Sequence, residues 1–199
     1  MISQSTCPIR GIAVLGLNGA GKSTLAHALA KATGFLEMDV EDFYFPQQRA
    51  ARLYALEHDR PFAAETFGEL PYAVSRTKEE AESAILANLP RENGFILAGV
   101  TLNFRPEILS RIDLAVELQV PPDIRMQRIL QREERRFGSR VLPGGDMYAQ
   151  QEEFRRAAAA RDPDASGRSI SRMQCPVLQL DGTRPVAENL QAIFACLHL

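Results

Sequence analysis

Residues 16–23 constrain the fold of this chain more than any other segment. They read G-L-N-G-A-G-K-S and match the phosphate-binding pattern G-x-x-x-x-G-K-[ST] at every fixed position. The apolar residues 12–15 before them are typical of a buried strand, and residues 24–31 are predicted to form a helix with Leu25 and Leu29 on one face. A strand, a glycine-rich loop and a helix in this order predict a nucleotide site.

The residue types in this loop indicate how it would hold phosphate. Glycines at positions 16, 19 and 21 allow backbone conformations in which successive N–H groups point at phosphate oxygens, and the helix that follows adds its positive end. Lys22 is expected to reach the β- and γ-phosphates, and the Ser23 hydroxyl to bind Mg²⁺. We therefore expect ATP and Mg²⁺ as cofactors. The predicted nucleotide-binding residues are Asn18, Gly19, Ala20, Gly21, Lys22, Ser23 and Thr24.

Composition favours one globular domain. The chain has 199 residues, of which 45% are hydrophobic, and its net charge of −2 argues against nucleic acid as a partner. No apolar run approaches the length that crosses a membrane, so no membrane partner is expected. Cys7, Cys175 and Cys196 are widely spaced, which favours reduced thiols and a cytoplasmic location. We expect a monomer or a homodimer.

A cluster of carboxylates follows the second predicted strand, residues 35–39. Asp39, Glu41 and Asp42 lie close together in the chain and precede the aromatic residues 43–45. In open parallel sheets the loops at the carboxyl ends of the strands line the ligand crevice, so these carboxylates are candidate catalytic groups. The alternative is a solvated acidic loop, because loops are where charged side chains usually lie.

Arginines are concentrated in and after a helix that is predicted to begin at residues 121–123. They are Arg125, Arg128, Arg132, Arg135, Arg136 and Arg140, and the first three share one stripe of that helix. The glycine-containing segment 142–146 follows, which is typical of a mobile flap that closes over an anion. A solvated helix face of arginine and glutamate would give the same pattern.

The order strand, loop, helix repeats along the chain, which predicts a parallel sheet covered by helices on both faces. Further strands are predicted at residues 95–100, 113–120 and 176–180. Thr77 and Glu80 have the spacing of a capping box and predict a helix from there to about residue 89. Residues 47–76 lack strong periodicity, and residues 162–172 are predicted to be loop.

With these residues placed, the chain resembles the P-loop small-molecule kinases, the group that contains uridine kinase, nicotinamide riboside kinase and adenylate kinase. The resemblance rests on residues 16–24, on residues 39–46, which are similar to the motif D-[SD]-F-[YF] of nucleoside kinases, and on residues 128–133, which are similar to the helix that leads into the lid. It implies an α/β, three-layer P-loop NTPase fold with a five-stranded parallel sheet in the order 2-3-1-4-5.

The resemblance also implies a division of the single domain, residues 1–199. Its parts are a core of residues 9–45, 94–134 and 175–199, an acceptor-side insert of residues 46–92 and a lid region of residues 135–172.

Roles for individual residues follow from the same resemblance. In these kinases an aspartate after strand two deprotonates the acceptor hydroxyl, so Asp42 is the first choice for the base, and Asp39 for a metal ligand beside Ser23. Uridine-kinase-like proteins often carry an acidic residue at the end of strand three, where this chain has Ala98. Either Asp39 or Asp42 fills that role, or metal binding is weak. The predicted catalytic residues are Lys22, Asp39, Asp42, Arg132, Arg136 and Arg140, the arginines forming a lid over the phosphates.

The predicted function is transfer of the γ-phosphoryl group of ATP to a hydroxyl of a nucleoside-like metabolite, because Phe43, Tyr44 and Phe45 favour a flat ring beside the base. Four arginines of the insert keep open a nucleoside monophosphate as acceptor: Arg49, Arg52, Arg60 and Arg76. A non-enzymatic ATP-binding module and a hydrolase are further alternatives. The chain lacks the N-K-x-D motif of GTPases and the L-S-G-G-Q motif of transporter ATPases.

Overall fold

Five parallel strands form the central sheet of the structure, a computed structural model that describes residues 9–58 and 74–197. The order across the sheet is β2-β3-β1-β4-β5. The strands are β1 (Gly11–Leu15), β2 (Leu36–Asp39), β3 (Phe95–Gly99), β4 (Leu114–Gln119) and β5 (Val177–Asp181). This arrangement confirms the α/β class, the five-stranded parallel sheet and the strand order that the resemblance implies.

Helices cover both faces of this sheet. Those of the described residues are α1 (Lys22–Thr33), α2 (Val40–Tyr44), α3 (Gln48–Glu57), α4 (Lys78–Asn88), α5 (Pro106–Leu109), α6 (Pro122–Phe137), α7 (Tyr148–Ala159), α8 (Ala165–Ile170) and α9 (Val186–Leu197), with a short 3₁₀ helix at Gly138–Val141. Because neighbouring residues of a strand point to opposite faces, Leu15 joins a core that contains Ile85, whereas Val14 joins a core that contains Leu29 and Ile193. Two cores on one sheet give the three-layer architecture.

The predicted capping box at the start of α4 is confirmed. The Glu80 backbone N–H donates to Thr77 Oγ1 at 3.2 Å, and the Thr77 backbone N–H donates to Glu80 Oε2 at 2.8 Å. Two backbone N–H groups that the helix itself cannot satisfy are paired in this way.

The structure corrects one loop prediction and shows a helix in a segment that lacks strong periodicity. Helix α8 lies within residues 162–172, and its buried face combines Ala165 and Ile170 with two serines. Ser166 Oγ donates to Glu117 Oε1 at 2.8 Å, and Ser169 Oγ accepts from the Leu102 N–H at 2.6 Å. Helix α3 lies in the insert, where the buried side chain of Arg52 interrupts the apolar pattern. Residues 59–73 of the insert, with Arg60, lie outside the described residues.

The sheet brings the candidate residues to one edge. The phosphate-binding loop leaves the carboxyl end of β1, Asp39 ends β2, and Gly182 follows β5, so all three lie where ligands of open α/β sheets bind. No helix among the described residues is long and apolar enough to cross a membrane.

Candidate active site

The phosphate-binding loop is packed against the first turn of α6. Gly19 has a φ of +82°, and a Cβ atom there would lie 2.3 Å from the carbonyl oxygen of Arg125, so only glycine fits. Arg125 is buried, and its Nη1 donates to the Asn18 carbonyl oxygen at 3.1 Å. Gly21, with a φ of +97°, then turns the chain into α1. The loop therefore owes its shape to α6 as well as to its own glycines.

Positive charges converge on the loop. Lys22 Nζ donates to the Leu17 carbonyl oxygen at 3.2 Å. Withdrawal from water lowers the pKa of Lys22 to about 8; the charges of Asp39 and Glu41 act in the opposite sense, and those of Arg132 and Arg161 lower it further. A phosphate at this loop would meet Lys22, and the charges of Arg132 and Arg161 also act there; Arg161 was not among the residues expected from the sequence.

Ser23 and Asp39 form a pair that fits Mg²⁺. The Ser23 hydroxyl donates to Asp39 Oδ2 at 2.6 Å, while Asp39 Oδ1 accepts from the Glu41 N–H at 3.0 Å and caps α2. Mg²⁺ in phosphoryl-transfer sites needs one or two carboxylates beside phosphate oxygens and water, so a hydroxyl and one carboxylate suffice. Asp39 also lies in register with Ala98 on the neighbouring strand. The carboxylate missing from β3 is thus available from β2.

Asp42 faces a different partner. Arg52 of α3, only 2% exposed, donates from Nε and Nη2 to both oxygens of Asp42 at 2.6–3.2 Å and from Nη1 to Glu37 Oε1 at 2.6 Å. Glu37 Oε2 lies 2.7 Å from His27 Nδ1. Burial raises the pKa of Asp42, and the bonds and charge of Arg52 act against that rise. Both oxygens of Asp42 are therefore engaged in a buried ion pair, which argues against Asp42 as the base.

A cavity of about 360 Å³, the first cavity, opens over the loop. Its walls are residues 19–25, arginines of α6 and the segment after β5. Beyond the loop it is lined by Arg128, Arg132, Arg136, Gly182, Arg184 and Asn189, among others. Arg128 Nη1 donates to the Gly182 carbonyl oxygen at 2.9 Å and so joins α6 to this segment. The size is within the range of small-molecule sites. Residues 182–189 were missed from sequence, although the position after β5 at the ligand edge is a signal for them.

A smaller cavity of about 170 Å³, the second cavity, adjoins the first. It lies between α2, α6 and α7, and its lining includes Glu41, Phe45, Glu133, Phe137 and Phe154. Arg132 and Arg136 line both cavities. The guanidinium carbon of Arg132 lies 5.7 Å from the centroid of the Phe154 ring. The two cavities therefore share a wall at these arginines.

The remaining predicted lid arginine lies elsewhere. Arg140 Nε and Nη2 donate to the two oxygens of Asp146 at 3.0 and 2.7 Å. Among the described residues, Arg140 lines neither the first nor the second cavity. The structure therefore separates Arg140 from Arg132 and Arg136, and we leave it out of the candidate site.

Comparison with known proteins agrees with this architecture. Residues 12–157 match the family described as AAA domain. The uncharacterized protein YqaC of Bacillus subtilis (strain 168) is 26% identical over 192 residues, which cover 92% of this chain and 95% of that protein. The crystal structure of shikimate kinase from Bacteroides thetaiotaomicron is similar with a TM-score of 0.55 and 19% identity, covering 96% of this chain and 99% of the other.

A gluconokinase from Sinorhizobium meliloti 1021 is similar with a TM-score of 0.52 and 17% identity, covering 96% of this chain and 94% of the other. At these identities the likeness shows the shared P-loop NTPase fold. The finer expectation of a uridine-kinase-like member stays a prediction.

The pKa of Lys22 predicts a pH dependence of nucleotide binding. In the free protein Lys22 loses its proton near pH 8, whereas bound phosphate favours the charged form, so binding above pH 8 must take up a proton. We expect ATP to bind about tenfold more weakly at pH 9 than at pH 7.5, as measured by isothermal titration calorimetry. In Lys22→Arg the guanidinium stays charged across this range, so the affinity should vary much less with pH. Equal pH slopes in both proteins would contradict this role for Lys22.

Proposed function

The chain belongs to the AAA domain family, and within that family we propose that it is a kinase that transfers the γ-phosphoryl group of ATP to a hydroxyl group of a small molecule. The observation that carries the proposal is the pair of adjoining cavities that share Arg132 and Arg136. One is built on a phosphate-binding loop and the other contains a carboxylate and aromatic side chains. A hydrolase would need only the first cavity and water. Both similar solved structures are named as kinases, which supports the same assignment.

In this proposal the triphosphate of ATP occupies the first cavity. The loop N–H groups and Lys22 bind its β- and γ-phosphates, and Arg132, with Arg136 beside it, faces the group being transferred. Ser23 and Asp39 would hold Mg²⁺, which neutralises part of the charge on the phosphate oxygens. Phosphoryl transfer depends mainly on positioning and charge stabilisation, and these side chains supply both.

Glu41 is the carboxylate best placed to act as the base. Asp42 is engaged by Arg52 and Asp39 by Ser23, whereas Glu41 lines the second cavity and its charge acts on Lys22. The acceptor oxygen would attack the γ-phosphorus, its proton would pass to Glu41, and the bond from the phosphorus to the oxygen of ADP would break. Glu41 thus replaces Asp42 in the role that the resemblance implied.

The contacts of the insert favour a neutral acceptor over a phosphorylated one. Arg52 is fully engaged by carboxylates, and Arg76 Nη1 donates to the Phe43 carbonyl oxygen at 3.3 Å. Phe43 and Tyr44 pack against a hydrophobic core, which leaves Phe45 at the second cavity. Fewer aromatic rings are therefore available to stack on a nucleobase than the sequence suggested. A smaller molecule could still present a hydroxyl group to Glu41.

The proposed activity predicts that ADP release depends on an acceptor. Release should be slow with ATP and Mg²⁺ alone and should rise at least about tenfold when a suitable hydroxyl compound is added, because the attacking oxygen is then positioned. A coupled assay for ADP measures this, and Lys22→Ala should abolish it without lowering the melting temperature. Acceptor-independent release would indicate a hydrolase, and ATP binding without any release would indicate a sensing module.

The assignment of the base predicts opposite effects for adjacent residues. Glu41→Gln should lower kcat by about 10²–10⁴ with the free energy of unfolding unchanged, because a proton acceptor is lost from an otherwise intact site. Asp42→Asn should lower the free energy of unfolding by roughly 3–5 kcal/mol, because it breaks a buried ion pair, while kcat of the folded fraction falls far less. Steady-state kinetics and urea denaturation separate the two. A larger loss of kcat in Asp42→Asn would return the role of base to Asp42.

The two cavities predict different effects for Arg132, which lines both, and Arg140, which lines neither. Arg132→Lys should lower kcat at least about tenfold more than it raises the KM for ATP, because lysine cannot make the two parallel bonds of a guanidinium to a phosphoryl group. Arg140→Lys is the matched control, and its kcat should stay unchanged because Arg140 is paired with Asp146. If the two variants lose activity equally, the assignment of different roles to Arg132 and Arg140 is wrong.

A further inference from the structure

Glu133 on α6 is a buried carboxylate that is only half satisfied. Its side chain is 2% exposed, and its Oε2 accepts a hydrogen bond from Arg155 Nη1 on α7. Its Oε1 is buried and has no hydrogen-bond partner among the described residues. Leaving a buried polar atom unpaired costs free energy, so such an atom in a folded protein calls for a partner.

The position of Glu133 indicates where that partner would lie. Glu133 lines the second cavity, on the side of α6, and Glu41 lines it from α2. Arg155 also donates to Glu152, so its guanidinium is held between two carboxylates and fixes the orientation of Glu133. An ionised carboxylate only accepts hydrogen bonds. A ligand that pairs with both carboxylates must therefore offer a hydrogen-bond donor to each.

The size of the second cavity limits the ligand. Its volume is about 170 Å³, little more than the roughly 150 Å³ of a protein cavity that accommodates one benzene molecule. One six-membered ring or a chain of similar size fits, whereas a nucleoside has a base and a ribose. The rings of Phe45, Phe137 and Phe154 give the cavity apolar walls that suit the C–H faces of such a molecule.

The charges around the cavity balance. Glu41 and Glu133 are acidic, and Arg132 and Arg136 lie where the cavity meets the phosphate site. We propose that the acceptor is a small neutral polyol, a single ring or a short chain with several hydroxyl groups, and that Glu133 Oε1 accepts a hydrogen bond from a hydroxyl other than the one phosphorylated. This inference rests on the proposed function, because it names the class of molecule that the kinase would phosphorylate.

A panel of compounds tests the inference with the whole chain, Mg²⁺ and nucleotide. Its arms are neutral five- and six-carbon sugars and cyclic polyols, the matching amino sugars and sugar acids, and nucleosides. ADP release with ATP measures turnover, and the melting temperature with ADP measures binding without turnover. At least one neutral polyol is expected to raise both, and its single-deoxy analogues should include one that binds about 10- to 100-fold more weakly, the effect of losing one hydrogen bond to a charged group.

Glu133→Gln tests the residue itself. It should raise the KM for the active polyol by about 10- to 100-fold and leave the KM for ATP unchanged. Glu134→Gln is the matched control, because it removes the same charge from the next residue, which is exposed and is not part of the lining of the second cavity; its kinetics should equal those of the parent. If Glu133→Gln does not fold, binding of the deoxy analogues to the parent protein tests the inference instead.

The outcomes separate this inference from the proposed function. Phosphorylation of nucleosides, sugar acids or amino sugars with no binding or turnover of neutral polyols overturns the inference and leaves the kinase assignment standing. Binding of a polyol that is never phosphorylated overturns the kinase assignment and, with it, the role of the polyol as acceptor. An unchanged KM for the polyol in Glu133→Gln, or no binding by any polyol, also overturns the inference.

Discussion

The buried guanidinium of Arg52 is the interaction on which the acidic edge of the sheet depends. It bonds both oxygens of Asp42, one oxygen of Glu37, and lies 3.9 Å from Asp39. Without it, three carboxylates would share a poorly hydrated region, and a buried charge without a partner is strongly destabilising. Arg52 also comes from α3, so this ion cluster ties the insert to β2 and α2. The positive charge of Arg52 offsets the repulsion between Asp39 and the neighbouring carboxylates, so that Asp39 can stay ionised while it bonds Ser23.

Because of this cluster, three carboxylates that look equivalent in the sequence have different partners. Asp39 caps α2, and successive residues of a helix are rotated by about 100°, so Glu41 and Asp42 cannot face the same way. Asp42 turns to Arg52 and Glu41 to the second cavity. The residue that neutralises Arg52 and the residue that we propose as the base are thus adjacent on a short helix.

The sequence predicted what depends on local pattern. The phosphate-binding loop, the five strands and the capping box of Thr77 follow from residue spacing, and the structure contains all of them. The helices α3 and α8 could not be predicted in this way, because their buried faces carry polar side chains whose partners are distant in the chain: Arg52 meets Glu37, and Ser166 meets Glu117. The same limit applies to Asp42, whose bonds to Arg52 join two separate elements, and to Arg161, whose charge acts on Lys22 from far along the chain.

Helix α6 connects the parts of the site. Its first turn supports the phosphate-binding loop through Arg125, and a turn later Arg128 holds the segment after β5. Arg132 and Arg136 continue the same stripe to both cavities, since spacings of three and four residues keep side chains on one face. Their positions are therefore set by the packing of α6 on the loop. The helix that shapes the nucleotide site also carries Glu133, so both proposed substrates are positioned from one rigid element.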